Sequence, residues 1–204
     1  MDITDPNPDP KTLAERRRLA AAAGHESDEP AARALLGDPH PTVRATALAA
    51  LVRMGRSGGP DFAAAVADVH PAVRRRAAVE AVGAVVDLVP LLGDPEPLVA
   101  EAAAWALGER AAGAGSRAVS ALARMATQHP DALCREAAVA ALGAIGDAGG
   151  LAAILAATAD KAPVRRRAVL ALAPFDGPEV EAALQRARTD RDWQVRQAAE
   201  DLAP

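Results

Sequence analysis

Small and apolar residues return at every fourth position in short blocks, and a polar turn precedes each block. In "VRATALAAL" the recurring residues are Val43, Ala47 and Leu51; in "VRRRAAVEAV" they begin with Val73 and Ala77. This spacing puts them on one face of an α-helix. Six such blocks follow one another, anchored at Val43, Val73, Val99, Cys134, Val164 and Val195, with spacings of 30, 26, 35, 30 and 31. A drifting period near 30 predicts one supersecondary unit per repeat, with insertions and deletions falling in loops.

Each unit reads as two helices. Pro41, Pro71, Pro97 and Pro163 stand just before or at the start of the anchored helix. There a missing N–H costs nothing. Aspartates ahead of them, such as Asp38, Asp68 and Asp94, suit that helix N-terminus as caps or as charges. Gly83, Gly108 and Gly143 are expected to close the second helix. A shorter first helix is expected in "PDFAAAVA", "GSRAVSALARMATQ" and "GPEVEAALQRART". "DPKTLAERRRLAAAAG" predicts a capping helix over 11–24, and the acidic, proline-rich residues 1–10 predict a disordered tip.

The unit D-P-x-P-x-V-R-x-x-A-x-x-A-L-G, matched six times from about Glu29 to Leu202, resembles the HEAT-like repeat family. The likeness is to the short form also found in phycobilisome (E/Z-type) bilin lyases. The resemblance implies an all-α, right-handed α-α superhelix of about six helical pairs, one solenoid over 11–204 with repeats over 29–204. It implies no single function, because sites are grafted onto such folds.

Composition narrows the choice. Half of the 204 residues are hydrophobic yet only 2% are aromatic. The core must therefore form by close approach of small side chains on packed helices. A net charge of −4 argues against a chain built as a whole for polyanions. The lone Cys134 permits no internal disulfide and fits a reducing, cytoplasmic setting. Neither a signal peptide nor a long apolar run is read in the sequence, so no membrane span is expected. Arginine-heavy, lysine-poor, alanine-rich usage suggests a bacterial chain.

The arginine clusters "VRRRA" at 73–77 and 164–168 raise the question of phosphate binding. Their first members, with Arg44, Arg135 and Arg196, follow the anchor directly, and the resemblance implies that such arginines form a ladder to aspartates and turn backbones. Ala100 breaks the series. The second and third members, Arg75, Arg76, Arg166 and Arg167, are candidate phosphate ligands. Units carrying Glu101 and Glu136 lie between them, whereas a duplex presents an unbroken run of phosphates. Nucleic acid is therefore not the expected partner, and solvated or locally paired arginines are. Arg16, Arg17 and Arg18 lie apart, on the capping helix.

The resemblance implies that second helices line the concave face. On them, positions two and six after the anchor form an outward stripe. It reads Ala45/Ala49, Arg75/Val79, Glu101/Trp105, Glu136/Ala140, Arg166/Leu170 and Gln197/Asp201. Candidate partner-binding residues are Arg75, Val79, Glu101, Trp105, Glu136, Arg166, Leu170 and Gln197. Trp105, flanked by Glu101 and Glu109, is read either as an interface anchor or as packing. Trp193 is read as covering the end of the core, and Cys134 as a buried small hydrophobe. His40, His70 and His129 read as solvent-exposed turn residues. A metal site is not expected, since about one repeat separates the imidazoles.

No catalytic constellation stands out, so no catalytic residue and no cofactor is assigned. The one His-Glu pair, His25-Glu26, disfavours the deoxyhypusine hydroxylase activity of some HEAT proteins. Scarce aromatics likewise disfavour that of the HEAT-like DNA glycosylases. The expected function is a non-catalytic scaffold for a protein partner, acting as a monomer or as a subunit of a hetero-complex. A nucleic-acid-binding solenoid and a bilin or tetrapyrrole lyase-type subunit stay open as alternatives.

Overall fold

The polar turns and four-residue periodicity produce helices throughout. The computed structural model describes residues 12–202, the side chain of Ala112 excepted. The expected disordered tip, and Ala203 and Pro204, lie outside the described residues. Among the described residues there are twelve α-helices and no strand. The chain divides into two compact units, Met1–Val86 and Asp87–Pro204.

The first unit contains α1 (Leu13–Glu26), α2 (Glu29–Leu35), α3 (Pro41–Arg53), α4 (Gly59–Val66) and α5 (Pro71–Glu80). Its second helices α1, α3 and α5 pack in succession, α1 on α3 and α3 on α5. α2 and α4 are the first helices of two pairs. The second unit contains α6 (Pro97–Glu109), α7 (Gly115–Gln128), α8 (Ala132–Ile145), α9 (Leu151–Ala157), α10 (Ala162–Ala171), α11 (Pro178–Ala187) and α12 (Trp193–Asp201). There α6, α8, α10 and α12 form the packed row, with α7, α9 and α11 as first helices.

The spacing of 26 has a structural cause. The first helix of that repeat shrinks to a five-residue 3₁₀ turn, Val89–Gly93, so this repeat is not a helical pair. Leu91 and Leu92 of the turn are still buried and replace the missing helix in the core. The long spacing of 35 reflects the fourteen-residue α7 and the 3₁₀ turn Ala111–Ala114 before it.

Every anchor and the residue four later are at most 2% exposed, from Val43 and Ala47 to Val195 and Ala199. Alanine dominates the core, and a few leucines carry the larger share of burial: Leu48, Leu51, Leu107, Leu122, Leu142 and Leu172. Each contributes about 1.5–3 kcal/mol relative to exposure. Alanine contributes less area but lets helices approach closely.

Two glycines show this best, and they correct the expectation that they end helices. Gly108 and Gly143 lie inside α6 and α8. A Cβ on Gly108 would stand 2.9 Å from the Ala141 Cα, and one on Gly143 would stand 2.7 Å from the Ala171 Cα. They are contact points between successive helices. Gly83 lies three residues beyond the end of α5. α8 is stopped instead by Gly146, left-handed at φ 67°, whose N–H bonds the Leu142 carbonyl.

The caps also differ from expectation. α3 and α5 are capped by histidine: His40 Nδ1 accepts from Thr42 N at 3.3 Å, and His70 Nδ1 from Ala72 N at 3.2 Å. Asp38 and Asp68 instead accept the His40 and His70 N–H groups at 2.8 Å, closing the turn two residues earlier. α8 and α12 take direct caps from Asp131 and Asp192.

Candidate functional site

The arginine after each anchor points back into the turn that precedes its helix. Arg44 Nη1 donates to the Asp38 carbonyl at 2.9 Å, Arg74 to Asp68 O at 2.9 Å and Arg135 to His129 O at 2.8 Å. Arg165 donates to Asp160 O at 2.9 Å and Arg196 to Asp190 O at 2.7 Å. The rest of the guanidinium then reaches the aspartate of the next repeat. Arg44 holds both oxygens of Asp68 at 2.8 and 2.7 Å. Arg135 does the same to Asp160 at 2.6 and 2.8 Å, and Arg165 to Asp190 at 2.9 and 2.7 Å. These paired bonds match the guanidinium fork to the carboxylate. They hold the carboxyls of Asp68, Asp160 and Asp190 below their ordinary range, the arginine hydrogen bond being the leading cause. This is the ladder expected from the sequence.

One rung begins where the sequence reading placed only a cap. Arg16 Nε on α1 donates to Asp38 at 2.7 Å. α1 is thus the second helix of a further, degenerate repeat, and Arg16-Arg17-Arg18 corresponds to Arg74-Arg75-Arg76. Glu15 replaces the anchor valine and serves the N-terminal cap, exchanging bonds with Thr12. The masking signal was this polar anchor.

One rung is absent within the second unit. Ala100 replaces the arginine, and His129 replaces the aspartate that would have met it. His129 keeps the turn, because its Nδ1 accepts from Asp131 N at 3.1 Å, as an aspartate oxygen does elsewhere. Cys134, also unique among the anchors, donates to the Pro97 carbonyl at 3.3 Å across the same helix pair. Burial pushes its thiol up to about 11, so it stays protonated and inert.

The outward stripe of the second unit runs across α6, α8, α10 and α12. Glu101 and Glu136 are half-buried, Arg166 and Gln197 are exposed, and Leu170 is half-buried. Trp105 is 46% exposed and Leu133 59% exposed. Sequence reasoning missed Leu98 and Leu133, exposed apolar residues one position before their anchors. Their signal was the three-residue step to Glu101 and Glu136, which puts them on the same stripe. Among the described residues α6 carries no basic side chain. Arg135, the one on α8, is locked in the ladder.

The second pair of arginine candidates is only partly free. Arg167 lies 3.5 Å from Glu136 and Arg76 3.1 Å from Glu80, whereas Arg75 and Arg166 are exposed. Arg75, Arg76 and Val79 belong to the first unit, Arg166 and Arg167 to the second. Trp193 does not cover the core: it is 64% exposed at the first turn of α12, next to the Asp192 cap. Leu170, Leu184 and Leu202 pack there beside Val195 and Ala199 instead. Of the turn histidines, His70 is exposed as expected and His40 and His129 are half-buried; His40 and His70 cap their helices, and His129 closes the turn before α8.

Packed rows of second helices backed by first helices, joined by an Arg–Asp ladder, define an α-solenoid. A family model for HEAT repeats matches residues 85–173. No curated protein matches the chain. Among solved structures, the YibA protein of E. coli shares 19% identity over 94% of this chain and 76% of its own, with a TM-score of 0.73. A designed armadillo repeat protein in complex with a (KR)4 peptide shares 17% over 93% and 89%, with a TM-score of 0.52. Computationally designed armadillo repeat proteins for modular peptide recognition share 19% over 93% and 90%, with a TM-score of 0.50. The chain has the HEAT/armadillo solenoid fold, and HEAT repeats are matched over residues 85–173 of it. Among the described residues, no helix is long and apolar enough to cross a membrane.

Proposed function

We propose that the protein is a non-catalytic cytoplasmic scaffold that holds a protein partner on the outward stripe of α6, α8, α10 and α12. The observation that carries this reading is the exposure of Leu98, Trp105 and Leu133 on the neighbouring helices α6 and α8, beside Glu101 and Glu136. Exposed apolar side chains gathered on one face mark an interaction surface more than scattered ones do. Trp105 is the anchor, because tryptophan combines large apolar area with few rotatable bonds. Arg166, Leu170 and Gln197 extend the stripe. The designed repeat protein solved with a (KR)4 peptide supports a peptide-holding use of this fold.

A tagged pull-down with and without nuclease tests the reading. A stoichiometric protein should survive nuclease and disappear with Trp105→Ala. Nucleic acid recovered by the wild type, and lost when Arg75, Arg76, Arg166 and Arg167 are replaced by Glu, would sink it.

A further inference from the structure

We infer that the outward face of α1, α3 and α5 in the first unit is a second binding site, for an acidic peptide segment. It is separate from the stripe of the second unit and does not rest on that reading. The Arg16–Asp38 rung fixes the register of α1. Arg17 and Arg18 thereby take the outward positions that Arg75 and Arg76 take on α5. Between them, α3 presents Thr46 and Ala49, a low floor of small side chains, while Ala45, expected on the outward stripe, is buried against Val73 and Ala77. An open cleft of about 350 Å³ already exists on this face, lined by Ala14, Arg17, Arg18 and Ala21 of α1 and Thr46 of α3.

These arginines are available because most acids of the unit are engaged elsewhere. Asp38 and Asp68 belong to the ladder, Asp61 and Glu29 hold Arg33, and Asp28 caps α2. Glu80 takes Arg76. Among the described residues no ion pair reaches Arg17, Arg18 or Arg75, and all three are exposed. Arg53, hydrogen-bonded to His25 at 3.0 Å, adds charge at the far end of the same face.

Spacing selects the ligand. Neighbouring helices lie about 8–10 Å apart, so the arginine rows of α1 and α5 are about 18 Å apart. An extended peptide rises about 3.3 Å per residue, so six residues cross the face and can offer a carboxylate to each row. A duplex of that length carries about ten phosphate charges, far more than these arginines neutralise. A single strand needs aromatic platforms, and the one aromatic among the first unit's described residues, Phe62, is buried. An acidic peptide matches both the charge density and the bare floor.

The test is fluorescence anisotropy of a labelled octa-glutamate peptide with the full chain at about 0.15 M salt, where long-range attraction is screened. Saturable binding should weaken about tenfold or more in Arg17→Ala/Arg18→Ala and in Arg75→Ala. It should stay within about twofold of wild type in Arg166→Ala/Arg167→Ala and in Trp105→Ala, a loss of tenfold being about 1.4 kcal/mol. Thermal melts by circular dichroism should be unchanged, since these side chains are exposed. Three results would overturn the site: no saturable binding, equal loss in the second-unit variants, or tighter binding of an oligothymidine or a short duplex through the same arginines. Loss confined to Trp105→Ala would assign the acidic peptide to the second-unit stripe instead.

Discussion

The two units are built from one repeat yet carry net charges of opposite sign over residues 12–86 and 87–204. Residues 12–86 carry ten arginines against eight carboxylates; residues 87–204 carry twelve basic side chains against sixteen acidic ones. The difference is concentrated at the positions just after the ladder arginine. In the first unit they hold Arg17, Arg18, Arg75 and Arg76; on α6 and α8 they hold Glu101 and Glu136 with alanines. The ladder and the core, by contrast, are nearly the same in both. The fold thus fixes a buried register and leaves the outward stripe free to vary in charge without disturbing stability.

The second contrast is the missing rung. The first unit has both its rungs, Arg16–Asp38 and Arg44–Asp68. The second has Arg135–Asp160 and Arg165–Asp190 but none between α6 and α8. That pair has the bond from the Cys134 thiol to the Pro97 carbonyl, besides a close glycine contact at Gly108 like the one at Gly143 between α8 and α10. Loss of the arginine and loss of its aspartate occur together, as they must. A lone buried member of such a pair is costly, whereas removing both is cheap.

Breaking a rung should have the largest effect. The Arg165 and Asp190 side chains are only 7% and 16% exposed. Arg165→Ala should cost about 3 kcal/mol in urea unfolding, because Asp190 is left without its partner. Arg76→Ala, whose pair is on the surface, should cost under about 1 kcal/mol. Ala100→Arg probes the missing rung: alone it should cost about 3 kcal/mol, and adding His129→Asp should recover most of that loss. Equal stability of the single and double variants would show that the gap is not a deleted rung.

Gly143→Ala should destabilise by about 1–3 kcal/mol through contact with Ala171, despite the better helix propensity of alanine. The same change at exposed Gly83 should be near neutral.

Acid should weaken both units through the ladder. Asp68, Asp160 and Asp190 have folded-state pKa values held below the ordinary value near 4. Their contribution is full above that ordinary value and is lost as pH falls through the lowered, folded-state value. Chemical denaturation from pH 6 to pH 2 should show this decline, and Arg165→Ala should flatten it. The smallest effect is expected for Cys134→Val, within about 1 kcal/mol, because valine holds the five other anchors. Native Cys134 should resist alkylation, and its rapid modification would contradict the burial.

Much of this was legible. The fourfold spacing of alanine and valine gives the second helices, since periodicity alone decides which face is apolar. The ladder followed from the resemblance, which implies bonds from the arginine after each anchor to aspartates and turn backbones; that the forks of Arg44, Arg135 and Arg165 reach Asp68, Asp160 and Asp190 of the next repeat came from the structure. The helix shrunk to Val89–Gly93 was visible only as a short spacing, which does not say what was lost. Histidine caps escaped because Nδ1 acts there as a backbone acceptor, a role set by ring orientation. Trp193 escaped because Leu170, Leu184 and Leu202 already cover the core at α12, which the spacing along one helix does not reveal.

The sequence by itself determined the repeat, its second helices, the buried anchors and the outward stripe apart from Ala45, which is buried, because each follows from the 3.6-residue turn and local charge. Only the tertiary structure decided that α1 is a repeat helix and that Gly108 and Gly143 are contact points. It alone placed Leu98 and Leu133 on the stripe of Trp105 and left Arg17, Arg18 and Arg75 unpaired. These depend on which atoms of neighbouring helices meet, and distances between helices are not written in the spacing along one.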